Sequence, residues 1–281
     1  MKYPKSRPLP PFAGVSTVST GSPTGLWKWA AAGVCVGLLL SLIVFAPARW
    51  LSEWVNVASG QRLSLVGARG TVWQGSAYLR VSGSEGSRDA TLLPGLTTWR
   101  ILPGWGNLAV YYTAQCCAQS ALKVVVSPVG WGGIKVSLAD NQTQWPAALL
   151  TGLGTPWNTL RPEGQLTVST QGLYVEWIGG RQNLFGRCQL DALDMSSSLS
   201  TLKPIGSYKV VLDGGSTPTV RLETLNGSLQ LTGEGQWINQ RLQFNGVASA
   251  MPDRIDALAN LLNIIGRRNG ATAIIKLGSS V

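Results

Sequence analysis

From residue 70 to the C-terminus, apolar and polar residues alternate one for one in short runs, and the runs are punctuated by glycine and proline. That period of two places successive side chains on opposite faces of an extended strand. The run 70–81, GTVWQGSAYLRV, opens the series, and 107–112, 121–127 and 133–138 follow it. Then come 165–170, 172–178, 187–193, 207–212, 219–225, 227–232, 242–248 and 271–277. In 172–178, Leu173, Val175 and Trp177 fall on one face. About a dozen strands joined by short turns predict a mainly β domain built as an antiparallel multi-stranded sheet. Asp213-Gly214-Gly215 and Asn226-Gly227 are hairpin-type turn sequences.

Two segments depart from this alternation. WPAALL at 145–150 predicts a short helix starting at Pro146. PDRIDALANLLNII at 252–265 predicts a longer one. Pro252 and Asp253 suit its first turn, Ile255, Leu258, Leu262 and Ile265 make one stripe, and Gly266 suits its end. The stripe has two readings: it covers one end of the sheet, or it meets a partner helix or a membrane surface.

Ahead of the strands the pattern changes again. Trp29 to Ala46 is 18 residues without a charge, or about 27 Å of helix, close to the hydrocarbon thickness of a bilayer. Leu26 and Trp27 extend it while Lys28 reaches the interface, and Trp27, Trp29 and Trp50 sit where aromatic anchors belong. Four basic and no acidic residues precede the apolar run, which predicts a cytoplasmic N-terminus. The expected organisation is a disordered cytoplasmic tail over 1–25, a transmembrane helix over 26–48 and a periplasmic β-rich domain over 49–281. Ala46-Pro47-Ala48 also resembles a signal-peptide cleavage site, but both the tail and the apolar run are long for a cleaved signal. Cys35 lies mid-run, which does not suit a lipoprotein signal.

Composition narrows the chemistry. The net charge is +10, yet the basic residues are scattered, with one doublet at Arg267-Arg268. Attraction to anionic headgroups explains this better than nucleic-acid binding. The chain has no histidine, so triad chemistry and the usual zinc sites are absent. The acidic residues show no paired-carboxylate spacing, and no phosphate loop follows a strand. No catalytic residue, metal or cofactor is expected, and no small-molecule substrate is indicated. Cys116 and Cys117 are adjacent, and Cys188 stands apart. Side chains alternate along a strand, so at most one bridge is expected, from Cys188 to either Cys116 or Cys117, the other reading being three unpaired, partly buried thiols.

Ala46-Pro47-Ala48-Arg49-Trp50 closes the apolar segment, and Gly70-Thr71-Val72-Trp73-Gln74-Gly75-Ser76-Ala77 follows about twenty residues later. This pair resembles the type II secretion system protein N (GspN) family. Trp99-Arg100-Ile101-Leu102-Pro103, the run GSLQLTG at 227–233 and the closing LLNIIGRR at 261–268 extend the likeness over about 29–281. The proline-rich tail and the Cys116-Cys117 pair depart from it. The resemblance implies an accessory inner-membrane component of the apparatus that exports folded proteins, with other inner-membrane or periplasmic subunits of that system and membrane lipid as partners. It supplies no catalytic residues. It also implies a curved sheet, similar to the β-groove of AsmA-like proteins, so a lipid-binding or lipid-conducting module is the alternative.

Gly70, Thr71, Trp73 and Gly75 are the candidate structural or docking residues. On one strand, Thr71, Trp73 and Gly75 would share a face, and an indole between glycines can lie flat on neighbouring backbone. Trp73 then either packs inside the sheet or belongs to a docking edge. Arg49 and Glu53, one helical turn apart, are expected as a solvated pair.

Overall fold

The computed structural model describes residues 24–83, 89–238 and 241–278. The tail expected to be disordered falls outside these, apart from Thr24 and Gly25. The chain divides into two units, Met1–Val44 and Phe45–Val281. In the first, helix α1 (Thr24–Val44) is long and apolar enough to cross a membrane, and none of its apolar stretch is buried. Apolar all round, it has no face that would seek a protein core, as lipid-facing helices do not.

The apolar run does not continue as helix to residue 48. It stops at Val44, and Pro47, which has no N–H to donate, starts a second helix, α2 (Ala48–Ala58). The sequence reading passed over α2. It turns Leu51 and Val55 inward and leaves Arg49, Glu53, Trp54 and Val57 exposed. Arg49 and Glu53 are a turn apart in solvent, and no ion pair joins them.

The rest is one curved, open antiparallel sheet. Its strands are β1 (Leu63–Gly70), β2 (Gln74–Ser82), β3 (Ala90–Leu92), β4 (Thr97–Gly104), β5 (Asn107–Ala114), β6 (Ala118–Val129), β7 (Gly133–Leu138) and β8 (Asn141–Pro146). They continue as β9 (Glu163–Ile178), β10 (Arg181–Ser196), β11 (Gly206–Asp213), β12 (Thr219–Gly227), β13 (Leu229–Ile238), β14 (Arg241–Ala250), β15 (Arg267–Asn269) and β16 (Thr272–Leu277). Spatial order follows chain order almost throughout. β3 is a side branch on β2, β7 and β8 share the long strand β9, and β15 folds back outside β16. A bulge in β9 at Gly172, whose φ is +56°, keeps the faces in step across the longest pair.

Register puts apolar residues on one face along the whole sheet. Leu108, Val126, Val136, Val175 and Leu184 are successive cross-strand partners, and Leu190, Val210 and Leu222 continue on the same side. Leu173, Val175 and Trp177 share this face as expected. The other face carries charge: Lys135–Glu176 at 3.5 Å, Lys209–Glu223 at 3.5 Å, and Asp213 held between Arg187 at 2.6 Å and Arg221 at 3.2 Å. Those guanidiniums keep the Asp213 carboxyl below its ordinary range.

Three covers bury parts of the apolar face. Helix α2 packs over Ala77, Trp99, Leu65 and Ala68. A 3-10 helix (Ala147–Leu153) places Leu149 near Leu93, Ala114, Cys117 and Ala118. It is the short helix predicted at 145–150, shifted, because Trp145 and Pro146 complete β8. A four-residue helix, α3 (Trp157–Leu160), follows it. The third cover is the predicted C-terminal helix, α4 (Ile255–Ile265), entered through a 3-10 turn at Pro252–Arg254. Leu258, Leu261 and Leu262 are buried against Ile205, Tyr208, Leu229 and Ala248. Its stripe covers the sheet, the first of the two readings. Gly266 ends the helix in extended backbone rather than a left-handed cap.

The disulfide differs from expectation. Cys116 and Cys117 are bonded to each other, and Cys188 is free. Neither of the adjacent cysteines lies in a strand; they occupy the turn between β5 and β6, so the alternation argument does not apply. Cys188 sits on β10, three strands further along the sheet from β6. Peptide mapping of the unreduced protein should find Cys188 in a linear peptide. A fragment cross-linked through Cys188 to the 116–117 peptide would reinstate the sequence expectation.

A candidate docking site where three motifs meet

The segments singled out in the sequence converge at the entrance to the sheet unit. GTVWQGSA is not one strand. Gly70 closes β1, Gln74 opens β2, and Thr71, Val72 and Trp73 form the turn between them. Gly70 has φ +94°, and a Cβ there would stand 2.5 Å from the Gln74 carbonyl oxygen, so the turn requires glycine. Thr71 N–H donates to the Gln74 carbonyl at 2.8 Å, and the Gln74 N–H donates to Thr71 Oγ1 at 3.1 Å.

The residues after α1 are stitched to this turn. Pro47 bridges Thr71, and Val72 N–H donates to the Ala46 carbonyl at 2.8 Å. Ala46 and Ala48 are both buried; larger side chains would prop the turn away. Across from it, Trp99 Nε1 donates to the Val72 carbonyl at 3.0 Å, and Ile101 N–H donates to the Trp73 carbonyl at 2.7 Å.

An indole does lie flat on glycine backbone, but it belongs to Trp99, not Trp73. Gly75 is the cross-strand partner of Trp99, and a Cβ there would overlap the Trp99 ring. Trp99 is 5% exposed and sits in a small core with Ala48 and Ala77. Trp73, in the turn, is only half-buried. The sequence reading missed Trp99 as the anchor. The available signal was that the domain's two tryptophan motifs could face each other across a strand pair. Thr71, Trp73 and Gly75 therefore share a turn and its exit rather than one strand face.

Beside this junction lies β1, the terminal strand of the sheet. Among the described residues its outer edge pairs with no strand, and Leu63 and Val66 are exposed. On the polar face, an open depression of about 790 Å³ is bordered by Arg69, Thr71, Thr98, Arg100, Tyr111 and Thr113. Among the described residues no three His, Cys, Asp or Glu side chains converge as metal ligands would.

Fold and site together define a class of protein: a one-sheet scaffold, preceded by an apolar helix, whose conspicuous features are surfaces and an open strand edge. The chain belongs to the family described as type II secretion system (T2SS), protein N, whose profile matches residues 61–274. It is thus a component of that secretion system. The matched stretch takes in the Gly70–Gly75 turn and Trp99, and begins after Ala46–Trp50. No curated protein and no solved structure matches the chain.

Proposed function

We propose that the protein is a non-enzymatic accessory subunit of the type II secretion apparatus, anchored in the inner membrane by α1 with its N-terminus cytoplasmic and its sheet in the periplasm. In this reading the Ala46–Ala48 and Gly70–Gly75 junction ties the first strand pair to the segment that follows α1. The open edge of β1 then accepts a strand from another inner-membrane or periplasmic subunit, a mode in which main-chain hydrogen bonds supply the affinity. Family membership over 61–274 is the observation that carries it. The edge position of β1 supports the mode of docking.

A second reading, a lipid-binding groove, is favoured by one observation. Between its covers, the apolar face keeps a row of half-buried side chains, Leu108, Val126, Val136, Val175 and Leu184. A photo-reactive amino acid at Val66, on β1, and another at Leu184 separate the two in cells. Docking predicts adducts with secretion subunits from Val66. Lipid adducts from Leu184 without protein adducts from Val66 would replace this reading with the second.

A further inference from the structure

We propose that the hairpin tips at one end of the sheet form a rim that rests in the headgroup region of a bilayer, giving the sheet unit a membrane contact of its own. The proposal rests on reading α1 as a membrane anchor. Three tips on one edge carry it. Trp105 stands between Gly104 and Gly106 in the β4–β5 turn, and Trp131 between Gly130 and Gly132 in the β6–β7 turn. Trp177 and Ile178 end β9, just before the Gly179-Gly180 turn into β10.

Register shows that these tips lie on the same edge. Gly104 pairs with Asn107, Val129 with Gly133, Ile134 with Trp177 and Ile178 with Arg181. The indoles are unused by the fold: Trp105 is 104% exposed and Trp131 107% exposed. Trp177 and Ile178 are 41% and 44% exposed. Large apolar side chains held out in water by glycine turns gain nothing from folding, and clusters of them mark contact surfaces. At the opposite end, the 115–117 and 197–205 turns contain no aromatic residue, and the connection from β7 to β9 carries Trp145, packed into the small core beside Leu93, and Trp157, 37% exposed.

Three features choose lipid over protein as the occupant. Tryptophan, with an apolar body and one N–H, prefers the boundary between hydrocarbon and water. Exposed Arg181 and Arg241 open β10 and β14 on this edge with no ion-pair partner among the described residues, whereas the nearby acids are paired, Asp213 with Arg187 and Arg221 and Glu176 with Lys135. The edge is therefore net basic, as anionic headgroups require. The third feature is continuity: the chain enters the sheet unit on this same edge, where Ala46 and Pro47 pair with the β1–β2 turn.

The test uses the full chain in phosphatidylcholine–phosphatidylglycerol vesicles, with ordinary or tail-brominated lipid. Subtracting the emission of the W105F/W131F variant from that of the unaltered protein isolates the rim indoles; subtracting Trp29→Phe reports on α1. The rim difference spectrum is expected to be blue-shifted, largely lost in brominated lipid and little affected by aqueous acrylamide. A rim signal that acrylamide quenches and bromine does not would overturn the rim while quenching of Trp29 left the anchor standing. Rim indoles shielded from both quenchers would be buried in a protein contact, which also overturns it. Escape of Trp29 from bromine would remove the anchor, and the rim with it.

Discussion

Trp99→Ala should cost the first strands of the sheet about 3–5 kcal/mol, the usual loss for a large aromatic removed from a core. The indole is almost wholly buried, its Nε1 occupies the Val72 carbonyl, and its ring lies on Gly75. Removal leaves a cavity and an unanswered carbonyl at once. Chemical denaturation of the detergent-solubilised chain, followed by circular dichroism, measures it. Trp73→Ala, which removes a half-exposed turn residue, should cost less than half as much, roughly 1–2 kcal/mol. Equal losses would mean that the turn tryptophan carries the packing. If Trp73→Ala also loses secretion partners while the fold holds, the turn is a docking residue. Gly75→Val should mimic Trp99→Ala, because its side chain and the indole cannot share the space.

Leu262→Ala should lower stability at the other end of the sheet by about 2–5 kcal/mol. Leu262 is fully buried in α4, within the largest cluster of buried residues, alongside Leu258 and Leu261. Hydrogen exchange should show β13, β14 and β16 losing protection while β1, β2 and β4 keep theirs. Loss of protection throughout would mean that the two ends fold as a single unit. Unchanged protection everywhere would mean that α4 is not a structural cover and frees it for the partner or membrane reading.

The strands were legible because alternation survives wherever one face is apolar and the other wet. Leu173, Val175 and Trp177 lie together as their spacing requires, and the stripe of α4 meets the sheet. β1 and β4 were not recognised. Val66-Gly67-Ala68 and Ile101-Leu102-Pro103 interrupt alternation with a bulge and an apolar run. α2 was hidden because its inward positions, Leu51 and Val55, lie immediately after a longer apolar segment that draws them into its own pattern. The junction was half legible. Its three motifs could be found, but their meeting depends on strand pairing. The exchange of Trp73 for Trp99 as the ring on glycine follows from a turn at 71–73 that reads, residue by residue, as strand. The cysteine pairing failed for the same reason: a turn at 115–117 replaced the strand that the argument assumed.

Nearly every strand in this sheet hydrogen-bonds to the one made just before it. The structure is therefore close to a one-dimensional array, in which each strand's stability depends on its neighbour more than on distant parts. A chain emerging N-terminus first finds a partner for almost every new strand already in place, so assembly can proceed as a zipper without waiting for the C-terminus. The Trp99 junction then serves as the first closed tooth and α4 as the stop at the far end. Between them, a strand can open and reclose without the rest unravelling.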